Sequence, residues 1–258
     1  MEKIKQTFYL EIKEIIKSEK INVPTFAYSV LDGYIKGEVY TDSTLSNTIL
    51  IETQNGIYFV CGSEKNEGFN QELINLYREK KSDNLRFTLF SSSEKWNSII
   101  NRLLNNEIKQ LRRYSYKFGE GNELSGFSKL PKDYYINRIT PALIEDSYEF
   151  NKKYYEEYWG SVSNFIDKGF GYCILHNEKV VSECSAIFCS DELAEIDIVT
   201  SDNYRGKGLA KILANTFIRH SLENNIRPSW DCDVANNSSI NLAEKLGFND
   251  PIKYSIFV

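Results

Sequence analysis

The chain has 258 residues, 41 % of them hydrophobic, enough apolar material for one large or two small cores, which excludes wholesale disorder. Its net charge of −5 argues against nonspecific affinity for a nucleic-acid backbone. No apolar run approaches the roughly 18 residues of a membrane span, and the charged start Met1-Glu2-Lys3-Ile4-Lys5-Gln6 has no signal-peptide core.

In the N-terminal half, 1–118, the apolar periodicity predicts helices over Lys3–Ser18 and 24–33. Strands follow at Gly37–Thr41, Asn47–Thr53 and Ile57–Cys61, with Gln54-Asn55-Gly56 as a hairpin turn. Helix 68–80, strand 85–90, helix 94–106 and strand 108–117 complete this half. Residues 119–131 carry three glycines, a proline and no period, and read as a linker. The second half, 132–258, opens with a strand at Tyr134–Ile139 and Pro141 at a helix start. Helices are expected over 141–158 and 160–167, then strands Gly169–Leu175, Lys179–Phe188 and 194–200 joined by tight turns at Asn177-Glu178 and Asp191-Glu192. A helix from Leu209, strand 229–233, helix 237–246 and strand 253–258 end the chain. The fold class is therefore α/β (α+β): a mixed, mostly antiparallel sheet flanked by helices. Both halves run hairpin, helix, strand, helix, strand, so the first reads as a degenerate repeat of the second.

The cysteines Cys61, Cys173, Cys184, Cys189 and Cys232 form no Cys-x-x-Cys pair and lie mostly in apolar strands. They read as buried thiols of a cytoplasmic protein. Two histidines, His176 and His220, leave little for a metal centre or a Ser-His-Asp triad, and no metal is expected.

The strand Ala194–Thr200 runs into Tyr204-Arg205-Gly206-Lys207-Gly208-Leu209-Ala210, which opens a helix with Leu209, Ile212, Leu213 and Phe217 on one face. Strand, glycine-rich turn and helix N-terminus make an anion site, because the first helical amides lack intrahelical partners and the dipole adds positive charge. A nucleotide P-loop is absent, and Lys211 stands where a dinucleotide fingerprint needs its third glycine.

Arg205-x-x-Gly208-x-Ala210 resembles the Arg/Gln-x-x-Gly-x-Gly/Ala signature of the GCN5-related N-acetyltransferase (GNAT) superfamily. Asn236-x-x-Ser239-x-x-Leu242-x-x-Lys245-Leu246-Gly247-Phe248 is similar to that family's second signature. The resemblance covers 132–258 strongly and 1–118 by element order alone. The tandem organisation also resembles a bacterial subgroup that includes the zwittermicin-resistance acetyltransferases. Membership implies direct acetyl transfer from acetyl-CoA to a primary amine, here of a small molecule, with no nucleic acid or membrane as partner and a homodimer open. It also implies that Ile198, Val199 and Thr200 lie along the pantetheine arm. Arg205, Gly206, Lys207, Gly208, Leu209 and Ala210 would hold the pyrophosphate, and Asn236 and Ser239 approach the arm from the second helix. Asn236 reads equally as a helix cap.

Glu195 and Asp197 alternate onto one strand face and Glu183 sits in the neighbouring strand; these three acids are the candidates for the general base, with a structural role open for each. Many family members carry a tyrosine where this chain has Ala243, so the general acid is a departure, with Tyr172 and Tyr254 as substitutes by strand position. Tyr154, Tyr155, Tyr158 and Trp159 either line an acceptor pocket or pack their helix. The strand-to-helix connection of the first half, Gly62–Gly68, lacks the arginine-glycine pattern, so coenzyme binding is expected only in the second. Two other readings stay open: an aminoacyl-tRNA-dependent transferase of tandem type, disfavoured by the acidic balance, and a non-catalytic coenzyme A sensor.

Overall fold

A computed structural model describes residues 1–42, 47–119 and 129–258. Most of the 119–131 linker lies outside the described residues. The chain divides into two compact units, one of Met1–Tyr114 with Ile252–Val258, the other of Ser115–Pro251.

The first unit begins with β1 (Glu2–Lys3), a 3-10 turn, and helices α1 (Tyr9–Ser18) and α2 (Thr25–Leu31). The expected helix from Lys3 therefore starts later, because Glu2 and Lys3 pair with Thr41 and Tyr40 and take the extended form. Strands β2 (Gly37–Thr41), β3 (Thr48–Thr53) and β4 (Ile57–Gly62) make an antiparallel meander. Helix α3 (Glu67–Ser82) crosses back to β5 (Thr88–Ser91), which pairs parallel with β4. Helix α4 (Glu94–Leu104) and β6 (Gln110–Phe118) follow. Period-two alternation decides the packing: Leu50, Tyr58, Val60 and Leu89 point to one face and form a core with Phe69, Leu73, Tyr77 and Trp96 of α3 and α4. On the opposite face α2 covers the sheet, with Phe26 edge-on to Phe90 at 5.1 Å.

The second unit repeats this order. Strand β7 (Tyr134–Arg138) leads through α5 (Pro141–Glu145), α6 (Lys152–Trp159) and α7 (Val162–Lys168) to β8 (Gly171–His176), β9 (Lys179–Cys189) and β10 (Leu193–Thr200). The single helix expected over 141–158 is two. Asn151 accepts from the Lys153 amide at 3.0 Å and starts a new helix, a local bond that competes with continuing the old one. Asn177 and Glu178 both have positive φ, 50° and 62°, the two-residue turn that matches strand twist. Helix α8 (Leu209–Glu223) then crosses to β11 (Arg227–Asp233), which is followed by α9 (Asn237–Lys245) and β12 (Phe248–Phe257). The end of β12 belongs to the first unit, where Ser255, Ile256 and Phe257 pair with Ser91, Phe90 and Leu89 of β5. Among the described residues no helix is long and apolar enough to cross a membrane, and no group of three or more His, Cys, Asp or Glu is arranged to hold a metal. All five cysteines are buried free thiols, and burial pushes the Cys61, Cys173 and Cys184 thiols up, Cys173 to about 12.

Candidate functional site

The site lies in the second unit, where β10 meets β11. These strands pair in parallel only over Leu193–Glu195 with Arg227–Ser229. Beyond Glu195, β10 continues for five residues paired with β9 alone. A β-bulge opposite Glu195 and Ile196 marks the point of departure. The Ser201 amide bonds to Val181 O at 3.0 Å, so by antiparallel alternation Val199 turns its backbone toward β9. Ile198 and Thr200 turn theirs the other way, into the gap left by β11. The first unit differs at the same place: β4 stays paired with β5 through Val60, and the Ser92 amide extends that ladder to Val60 O at 3.1 Å.

The glycine turn stands at the open end of the gap. Gly206 and Gly208 both have φ +77°, and a Cβ added to either would meet nothing within 4 Å, so the demand there is for backbone conformation in open space. Gly208 is the N-cap of α8 and no side chain caps the helix. The first intrahelical bond runs from Ile212 N to Gly208 O at 3.2 Å, which leaves the amides of Leu209, Ala210 and Lys211 pointing outward. Arg205 closes the turn onto the strand: its Nε donates to Thr200 O at 3.1 Å and its guanidinium pairs with Asp202 at 2.9 Å. Lys207 lies over the Tyr204 ring. At the equivalent position of the first unit, Asn66 caps α3 by accepting from the Phe69 amide at 3.0 Å, and Glu67 puts a negative charge in the first turn. That helix end already has its acceptor.

Asn236 and Ser239 carry structural bonds. Asn236 caps α9, accepting from Ser239 N at 3.1 Å and from Ser238 Oγ at 2.8 Å. Ser239 Oγ accepts from the Trp230 indole at 2.9 Å. The cap reading of Asn236 thus holds in the structure.

The three candidate acids share the face of β9 and β10 that α6 covers. Their cross-strand partners are Phe188 for Glu195, Ser185 for Asp197 and Val199 for Glu183. Hydroxyl groups arriving from the helical segment meet two of them. Tyr154 donates to Asp197 at 3.0 Å, and Ser147 donates to Glu183 at 2.7 Å. Glu183 is buried, and burial holds its carboxyl above the usual range, offset in part by the Ser147 hydroxyl and the Phe150 amide. Asp197 and Glu195 are half-buried. The opposite face, with Ile196 beside Ala186 and Ile198 beside Cys184, packs on α8. Sequence reading missed Ser147, and it named Tyr154 without a partner. Nothing local ties either residue to a strand dozens of positions away.

The aromatic cluster divides. Tyr155 and Trp159 are buried, with the Trp159 indole donating to Ala186 O at 3.1 Å and the Tyr155 hydroxyl to Ser185 at 3.3 Å. They pack the helix onto the sheet. Tyr154 and Tyr158 remain half-exposed. Ala243 is fully buried and holds no proton to give. Of the two substitutes, Tyr172 lies on the strand face opposite the acids. Tyr172 pairs with Cys184 on the α8 side, its ring 5.8 Å from His220, and Tyr254 lies in the first unit, where its hydroxyl accepts from Arg113 and its ring stacks on Phe90.

A mixed sheet whose central parallel pair parts beside an uncapped glycine turn is the fold of an N-acetyltransferase of the GNAT class. The chain belongs to the GNAT acetyltransferase family, whose family model matches residues 15–257 and so spans both units. It is 46 % identical over 235 residues to an uncharacterized N-acetyltransferase, YdfB, of Bacillus subtilis (strain 168), covering 91 % of this chain and 90 % of that protein. Solved structures share its fold. A GCN5-related N-acetyltransferase-like protein from Streptococcus suis superposes with TM-score 0.72 at 23 % identity, covering 96 % of this chain and 98 % of that one. A tandem GNAT protein from the clavulanic acid biosynthesis pathway, without AcCoA, gives TM-score 0.67 at 11 % identity, covering 99 % and 97 %.

Proposed function

We propose that this chain is an acetyl-CoA-dependent N-acetyltransferase acting on a primary amine of a small molecule. The observation that carries the reading is the parting of β10 from β11 after Glu195 next to a helix N-terminus that no side chain caps. The backbone groups of Ile198 and the Thr200 amide, turned away from β9, suit an extended amide-bearing arm added like a strand. The amides from Leu209 onward, with Arg205 and Lys207 beside them, suit a pyrophosphate. From Thr200 back to Ile196 the strand covers about 13 Å, so an arm anchored at the turn delivers its end near Ile196.

When bound, acetyl-CoA supplies the thioester. The amine nitrogen would attack the acetyl carbon, the C–N bond forming as the C–S bond breaks, with its electron pair leaving on the coenzyme sulfur as a thiolate that takes its proton from solvent. Asp197 takes the amine proton: it flanks Ile196 and Ile198, is half-exposed, and is oriented by the Tyr154 hydroxyl. Glu183 is buried beneath Ser147 and less open to an acceptor. Glu195 stands at the closed vertex where the two strands are still paired. The Ile198 amide, turned into the gap, is a donor for the oxyanion. In the first unit the zipped strands and the self-capped helix offer neither feature.

Calorimetry with acetyl-CoA and thiol release over a panel of primary amines test this. Asp197→Asn is expected to keep coenzyme affinity and to lower kcat by about 10²- to 10⁴-fold. No binding of acetyl-CoA at millimolar concentration sinks the reading.

A further inference from the structure

The turn carries a feature that its backbone chemistry does not require. Lys207 is exposed and has no acidic partner among the described residues; the nearby Asp202 is engaged by Arg205. Its ammonium instead lies 4.8 Å from the centre of the Tyr204 ring and 3.5 Å from the Tyr134 hydroxyl. The Tyr204 ring is itself fixed. Its hydroxyl is 3.2 Å from Nδ1 of His176, and the two rings meet edge to face at 5.6 Å. His176 stacks on Tyr134 at 4.3 Å, and these two residues are cross-strand partners at the β7–β8 end. Tyr204 closes its own short turn through its amide to Ser201 O at 2.8 Å. Two half-buried tyrosines, held together by the His176 ring between them, thus meet at one lysine tip.

Rings and a carboxylate hold a lysine with different consequences. A carboxylate would neutralise the ammonium and repel an incoming phosphate. An aromatic face attracts the cation and leaves its full charge available. It also restricts a side chain whose rotamer freedom would otherwise be lost at the moment of binding. We propose that Tyr134, His176 and Tyr204 act as a brace of positioning residues that presents the Lys207 ammonium to the phosphate groups of the ligand held at the turn. The inference rests on the acetyl-CoA reading above. It adds that affinity for the phosphate end is set by ring residues that need not touch the ligand.

The test compares acetyl-CoA with S-acetylpantetheine, which has the same thioester arm and no phosphate, by calorimetry at low ionic strength on the full chain. Lys207→Ala and Tyr204→Leu are each expected to weaken acetyl-CoA by about tenfold. Tyr204→Phe keeps the ring and should stay within about threefold of wild type. S-Acetylpantetheine should bind all variants alike, which also reports that the gap is intact. The double variant should bind acetyl-CoA no more weakly than Lys207→Ala alone, since the brace acts only through that lysine. The brace is overturned if Tyr204→Leu binds acetyl-CoA like wild type, weakens S-acetylpantetheine equally, or adds its full effect to Lys207→Ala. A wild-type chain that binds S-acetylpantetheine but gains nothing from the phosphates overturns it too. If wild type binds neither ligand, the acetyl-CoA reading fails and the brace falls with it.

Discussion

Glu183 is a carboxylate kept in a place that disfavours charge. Burial raises its pKa, and the Ser147 hydroxyl and Phe150 amide pull it part of the way back. The sign follows from linkage. A folded-state pKa above the unfolded value means that the group's stability contribution is complete below the unfolded pKa. That contribution is lost as pH rises through the folded one. Removing a donor to the ionised form raises the pKa further and deepens that loss. Ser147→Ala should therefore cost about 1.5–3 kcal/mol at pH 8, the range for a hydrogen bond to a charged group, and distinctly less at pH 5. Thermal unfolding of variant and wild type at both pH values measures the difference, in which the other titrating groups cancel. An equal cost at both pH values would show that Glu183 keeps one protonation state across that range, against a raised pKa lying within it. Ser147 is itself buried, so its hydroxyl has no water to turn to in place of Glu183.

Helices α3 and α8 occupy the same place in the repeated order and end in opposite chemistry. Asn66 satisfies the first turn of α3 from its own side chain, whereas Gly208 leaves that of α8 open. This contrast is legible in sequence, because an asparagine before an acidic first turn and a Gly-x-Gly before an apolar stripe are local patterns. The same locality explains what sequence reading got wrong nearby. The run 141–158 has helical periodicity throughout, yet Ser147 is drawn to a strand carboxylate and Asn151 to a backbone amide, and the helix breaks between them. A pair of variants separates the two helix ends. Asn66→Ala should cost about 0.5–2 kcal/mol in thermal stability and leave acetyl-CoA affinity unchanged. Gly208→Ala, forced into φ +77°, should cost about 1–2 kcal/mol and also weaken acetyl-CoA by tenfold or so, because the new methyl group projects into the open space where the anion is read to sit. If Gly208→Ala loses stability but keeps its affinity, the cradle is placed wrongly.

Across the whole chain, the first unit's sheet is completed by residues from the far end of the sequence, Ile252–Val258. The two signatures at 205–210 and 236–248 made the second half readable, since each is a local pattern of a helix and the turn beside it. Which strand β12 joins is not local. Its apolar pattern at Ile256 and Phe257 fits any sheet edge, and the expectation of a final strand for the second half gave no hint that its end lies beside β5. The parting of β10 and β11 was hidden for the same reason, since where pairing stops leaves no mark on residue type. The consequence can be tested. Phe257 is fully buried in the core of the first unit, and beside it Lys109 and Val258 exchange amide bonds of 2.8 and 2.9 Å. Phe257→Ala should cost about 3–5 kcal/mol, a core-cavity value. A chain stopped at Pro251 would expose β5 along its backbone and open that core. It should show proteolytic cleavage concentrated within 1–114 under conditions where the full chain resists. Limited proteolysis read by mass spectrometry, with wild type beside it, decides the matter. Cleavage confined to 129–251, with the first unit intact, would mean that the last seven residues are dispensable to the sheet they join.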